Sequence, residues 1–100
     1  MTKAWELLEA GWLQRSMART ATGAILADPT DERACQFCAV GAVIRAYGRE
    51  TAYDILNNKI RPHLPAHKKD GVRFPTLMAF NDDTTTKKED VVGLLKELDI

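Results

Sequence analysis

The stretch Cys35-Gln36-Phe37-Cys38-Ala39-Val40-Gly41-Ala42-Val43-Ile44 is almost wholly apolar and rich in small side chains, in a sequence otherwise rich in charge. Extended from about Glu32 to Tyr47 it reads as one helix, apolar nearly all round, with only Gln36 polar between Ala34 and Arg45. A helix without a polar face is normally surrounded by other helices. Gly48 ends it at the position where glycine relieves a left-handed backbone. On such a helix Cys35 and Cys38 share a face with Ala39, Ala42 and Ala46, and small side chains there let a neighbouring helix approach closely.

Outward from this centre the pattern stays helical. Thr2 is placed to cap a first helix in which Ala4, Trp5, Leu7, Leu8 and Trp12 recur near helical period, with Gly11 marking its break. Leu13 to Ala27 reads as a shorter second helix interrupted by Gly23, and Asp28-Pro29-Thr30-Asp31 as a turn. Arg49 to about Leu64 reads as another helix, stopped by Pro62 and Pro65, and Ala66 to Phe74 as a polar loop. Pro75 suits the first turn of a short helix through Phe80 that ends at Asn81-Asp82-Asp83. Thr86-Lys87-Lys88-Glu89 reads as a capping box before a last helix with Val91, Val92, Leu94, Leu95 and Leu98 as its buried stripe. No run shows sustained strand alternation. The expected fold class is therefore all-α, a compact single-domain bundle of about five or six helices around the central helix, spanning residues 1–100.

Composition bounds the function. At 45% hydrophobic and 28% charged the chain is an ordinary folded domain, and 14 basic residues balance 14 acidic ones. A net charge of zero disfavours a dedicated nucleic-acid or membrane-surface binder, and neutrality favours self-association, so a homo-oligomer is expected. The start, Met1-Thr2-Lys3-Ala4-Trp5-Glu6, lacks the apolar core of a secretory signal, and no segment reaches the roughly 20 apolar residues of a membrane span. The expected location is the cytoplasm, where Cys35 and Cys38 are thiols.

The chemistry-bearing residues admit several readings. Both cysteines are first read as small hydrophobes in the core. A redox pair is disfavoured because such sites follow a strand, and none is read before Asp28-Pro29. Adding His63 and His67 to Cys35 and Cys38 makes a superficial zinc set, but Leu64-Pro65-Ala66 breaks the regular turn the histidines need. Neither a metal nor another cofactor is expected, and solvated histidines are the plainer reading. A nucleophilic Cys38 would need His63 or His67 as base and Asn81 or Asp82 to orient it. Asn81-Asp82-Asp83 is also explained by local capping. The segment Arg61 to Arg73, with Lys68 and Lys69, is a basic stretch without an aromatic platform, so nucleic-acid binding is a minor alternative and a solvated loop the default. Trp5 and Trp12 read as core or interface anchors.

Gly11-Trp12, Phe37-Cys38-Ala39-Val40-Gly41-Ala42, and Phe80-Asn81-Asp82 followed by Thr86 and a terminal Val-Val-x-Leu-Leu helix together resemble a family of small bacterial and phage proteins of unknown function. That family's motifs are Trp-Cys-x-x-Gly-Ala and Trp-Asn-Asp, so Phe37 and Phe80 stand here in place of tryptophans. Cys35 lies outside the motif. The resemblance implies a small cytoplasmic protein, carried by a phage or mobile element, and brings no activity with it. The motif residues Trp12, Phe37, Cys38, Gly41, Phe80, Asn81 and Asp82, with Trp5, are expected to support structure or an interface, Cys38 and Asn81 holding the central helix and the turn before the last one. The expected function is non-enzymatic binding of another protein, in host machinery, with a Cys38-centred enzyme or zinc site and a nucleic-acid binder through Arg61 to Arg73 as alternatives.

Overall fold

A computed structural model describes residues 2–100. The chain order is α1 (Ala4–Ala10), β1 (Ala18–Thr20), β2 (Ile25–Leu26), β3 (Ala34–Phe37), α2 (Ala39–Tyr47), α3 (Arg49–Asp54), α4 (Leu77–Asp82) and α5 (Lys88–Glu97). The fold is mixed: five helices stand with a three-stranded antiparallel sheet of order β2-β1-β3, so the expected all-α bundle is wrong.

The error sits between Leu13 and Cys38. Where a second helix was expected, Ala18 pairs with Leu26 and Phe37, and Arg19 with Ile25 and Gln36. Gly23 takes φ +92°, a left-handed backbone that glycine tolerates at no steric cost, and closes the hairpin with its N–H on the Thr20 carbonyl. The Thr20 hydroxyl accepts from Ala24 N–H and tightens the same turn. Arg15 is also left-handed, at φ +69°, which a helix through Leu13 cannot contain. The central helix accordingly begins at Ala39 rather than near Glu32, and the residues before it are strand.

One cluster of buried apolar side chains spans the described chain, from Ala4 and Leu8 through Phe37, Val43 and Ile60 to Phe80, Val91 and Leu95. Helix α2 lies in its middle, with Ala39 to Ile44 all buried, and packs against α1, α3 and α4. Helices α1 and α5 pack together, and Ile100 ties the end of the chain to them by accepting from Ala4 N–H and from the Tyr47 hydroxyl, both at 2.7 Å. Helix α1 starts one residue later than expected: Lys3, not Thr2, is its N-cap, and Lys3 N–H donates to Glu6. Helix α3 runs on into a wider π-helical segment, Ile55–Ile60, and a tight 3-10 turn, Arg61–His63.

Of the described glycines, Gly41 has the least room for a side chain. A Cβ there would lie 2.2 Å from the Met17 carbonyl oxygen, which is backbone and has no rotamer to escape into. The same carbonyl accepts from Cys38 N–H, so helix and loop are locked at this distance. Gly41→Ala is therefore expected to lower unfolding free energy by about 1–3 kcal/mol through overpacking, and Gly41→Leu by more, in urea titrations. Gly93→Ala, whose Cβ meets nothing within 4 Å, is expected to be neutral or stabilising.

Candidate functional site

Most of the motif residues meet at one place. Asn81, on the last turn of α4, is wholly buried, and burial of an amide demands that its donors and acceptor be matched. Its Oδ1 accepts from Trp12 Nε1 at 2.7 Å and from Ala39 N–H at 2.9 Å. Its Nδ2 donates to the Leu13 carbonyl at 3.2 Å and to Asp82 Oδ1 at 2.8 Å. The side chain thus joins the loop after α1, the start of α2 and α4, rather than serving as the local cap that Asn-Asp-Asp suggested. Gln14 Nε2 donates to the Asn81 and Asp83 carbonyls, and Arg15 N–H donates to Asp82 Oδ1, which fixes the left-handed turn at Arg15.

Cys38 occupies the N-cap of α2, where its Sγ accepts from Gly41 N–H at 3.2 Å. Cys38 Sγ and Asn81 Oδ1 between them satisfy two of the four N–H groups that a helix start leaves unpaired. The thiol lies 3.7 Å from Met17 Sδ, and a small cleft of about 120 Å³ beside it is lined by Arg15, Met17, Met78 and Asp82. Burial pushes the Cys38 thiol above its usual pKa, more than the Gly41 N–H pulls it down, and the Asp82 carboxylate adds to the rise. At neutral pH this sulfur is a thiol, the poorer nucleophile.

The expected bases for Cys38 do not join it, although Asp82 lies beside it. His63 lines a different cleft, and His67 pairs with Asp83 at 3.4 Å and stacks on Phe74 with ring centres 3.9 Å apart. Cys35 is exposed on β3 and donates to the Arg19 carbonyl, so the two cysteines do not share a helix face. A strand does precede the helix, contrary to the reading that set the redox pair aside, yet Cys35 and Cys38 have opposite exposure at the end of that strand. Among the described residues no three His, Cys, Asp or Glu side chains converge on a metal position, so Cys35, Cys38, His63 and His67 are not a ligand set.

Two cations of the basic segment, Lys68 and Arg73, are held within the fold. Its chain folds back through an Ala66–Arg73 bridge, Arg73 donates to the Leu64 and Arg61 carbonyls, and Lys68 reaches Asp90 and the Thr85 carbonyl. This clasp roofs a cleft of about 460 Å³ against α5. Trp5 is half-buried on α1 with Lys96 Nζ 4.8 Å from its ring centre.

A second groove of about 220 Å³ runs between the π-helical segment and α4. Its lining is Val40, Leu56 and Leu77, with Tyr53, Met78 and Arg61 at the surface. Tyr53 is 73% exposed and Met78 45%, unusual for side chains of that size. The wide turns are braced by Asn57 Nδ2 on the Tyr53 carbonyl and Asn58 Nδ2 on Asp54. The sequence reading missed this groove: Tyr53 and Leu56 fall within the expected Arg49 to Leu64 helix, and Met78 gave no signal of its own.

Two expectations follow from the hub. Asn81→Leu removes four hydrogen bonds and leaves Ala39 N–H and the Leu13 carbonyl buried without partners, which should cost about 3 kcal/mol or more in chemical denaturation. Trp12→Phe, which orphans only one acceptor direction, should cost less. For the thiols, a colorimetric thiol reagent on native protein should react with one equivalent promptly, Cys35, and with Cys38 only once denaturant is added.

A family model described as Family of unknown function (DUF6197) matches residues 1–98, and the chain belongs to that family. No curated protein and no solved structure matches it. Among the described residues no helix is long and apolar enough to cross a membrane.

Proposed function

We propose that this family member is a non-enzymatic binding factor of the bacterial cytoplasm that docks an apolar segment of a partner protein into the groove between the π-helical segment and α4. The observation that carries the reading is the convergence of Tyr53, Met78 and Arg61 on one apolar groove. Tyrosine, methionine and arginine are the types enriched at protein interfaces, because each offers large contact area with a polar or polarisable tip. Arg61 forms no ion pair among the described residues, so the partner segment carries an acidic residue beside its apolar anchor. Irregular π turns cost hydrogen-bond geometry and are found often at functional sites.

The reading is of a binder and not a catalyst because the buried groups that could do chemistry are already used. The Cys38 sulfur caps a helix, and every polar atom of the Asn81 side chain holds a backbone or side-chain partner. Soft Met78 and exposed Tyr53 suit a surface that accommodates an incoming side chain.

A photo-crosslinking residue placed at position 53 should yield one defined adduct in cells, and the same residue at Thr22, exposed on the far hairpin, should not. Adding Met78→Asp or Arg61→Glu should abolish that adduct without lowering thermal stability, since both side chains are exposed. An adduct of twice the chain mass would replace the foreign partner with a second copy of the chain. Equal adducts at positions 53 and 22, or none, would overturn the docking reading.

A further inference from the structure

Of the chain's 3 methionines and 2 cysteines, Met17, Met78 and Cys38 line one cleft of about 120 Å³. Met17 comes from the loop before β1, Cys38 from the N-cap of α2 and Met78 from the first turn of α4, so three separate segments bring sulfur to the same spot. The cleft is well below the size of a small-molecule site and suits an ion. Cys38 is 3% exposed and Met78 45%, which sets the thiol at the floor and one thioether at the mouth.

The two inner sulfurs are spaced for a shared metal. The Cys38 S–H donates to Met17 Sδ at 3.7 Å. Two sulfurs bonded to one ion at about 2.3 Å each, at a tetrahedral angle, lie about 3.8 Å apart. An ion that takes the place of the thiol hydrogen therefore asks for little movement of either side chain. Capping engages one lone pair of Cys38 Sγ with Gly41 N–H, and that contact, at the positive end of α2, favours the sulfur further once it is a thiolate.

Donor softness and charge select the ion. Thiolate and thioether sulfurs are soft donors that suit Cu(I), and a set with two thioethers lacks the imidazole and carboxylate ligands common around zinc. The charged residues of the lining, Arg15 and Asp82, offset one another. Exchanging the thiol proton for a monovalent ion leaves that balance unchanged. A divalent ion would add a positive charge beside Arg15 in a nearly buried site, which is costly.

We infer that Cys38, Met17 and Met78 form a three-sulfur site for a soft monovalent metal ion, Cu(I). On binding, the S–H bond of Cys38 breaks, an S–Cu bond forms, the proton leaves to solvent and copper keeps its oxidation state. The thioethers of Met17 and Met78 each add a neutral lone pair. Met78 also flanks the docking groove, but the sulfur site is complete within one chain and requires no partner.

Anaerobic titration of the purified full-length chain with the coloured Cu(I) complex of bicinchoninate tests it. The chain carries Cys35→Ser, which removes the exposed thiol and keeps a hydroxyl able to donate to the Arg19 carbonyl. One Cu(I) per chain should be withdrawn from the chelator with release of one proton, and equimolar Zn(II) should not compete. Adding Cys38→Ser should abolish uptake while the melting temperature holds, since serine is a favoured N-cap. Met17→Leu and Met78→Leu, which keep the bulk and remove the sulfur, should each weaken binding roughly tenfold or more, at least what losing a group that supports a ligand costs. X-ray absorption of the loaded Cys35→Ser chain, with Cys38 intact, should show sulfur neighbours alone around copper. No copper uptake, uptake that survives Cys38→Ser, unchanged affinity in both leucine variants, or nitrogen and oxygen neighbours would overturn the inference and leave an S–H to sulfur contact of the core.

Discussion

The Asn81 carboxamide is the constraint on which the rest of the molecule depends. Fully buried, it has to place one oxygen and two N–H groups on partners, and it finds them on three segments far apart in sequence: Trp12 and Leu13 after α1, Ala39 at the start of α2, and its own neighbour Asp82. A buried amide so satisfied specifies one arrangement of those segments, because any slip leaves a polar atom without a partner in a low-dielectric interior. Cys38 supports the same junction from the other side through Gly41 N–H, and Gly41 has no side chain because the Met17 carbonyl stands where one would go. Three short motifs are thus one physical object.

This hub leaves the proposed docking to the surfaces around it. A side chain whose every donor and acceptor holds structure together has little left to offer a substrate, and a thiol pushed upward by burial is held in its unreactive form. The groups left unspent lie elsewhere. Tyr53, Met78 and Arg61 flank one groove, while Phe74, Leu94 and Glu97 line the other. Both clefts border α4, the element that Asn81 anchors, so the junction positions each of them without forming part of either.

Much of the helical content was legible in the residues. The period of Ala4, Leu7 and Leu8, the glycine after Tyr47, and the stripe Val91, Leu95 and Leu98 each carry a local cause that the tertiary structure did not override. The sheet was not legible, for a physical reason: strands of two to four residues are too short for alternation to show against helical period, and Ala34 to Phe37 runs without interruption into the apolar start of α2. Cys38 marks that boundary, and cysteine is not among the residue types that announce an N-cap. The same limit moved the cap of α5 from Thr86 to Lys87, since either register satisfies a helix start locally.

By itself the sequence determined the apolar centre, the glycine stops after α1 and α2, and which residues are too distinctive to be incidental, because these follow from side-chain chemistry within a turn or two of chain. A family model of unknown function matches it over residues 1–98. Only the tertiary structure decided that Leu13 to Phe37 is a hairpin and a strand, that Asn81 bonds across the molecule instead of capping its own turn, and that His63 and Cys38 line separate clefts. Those outcomes depend on which distant carbonyls and N–H groups come within 3 Å of one another, and no local preference of the chain encodes that distance.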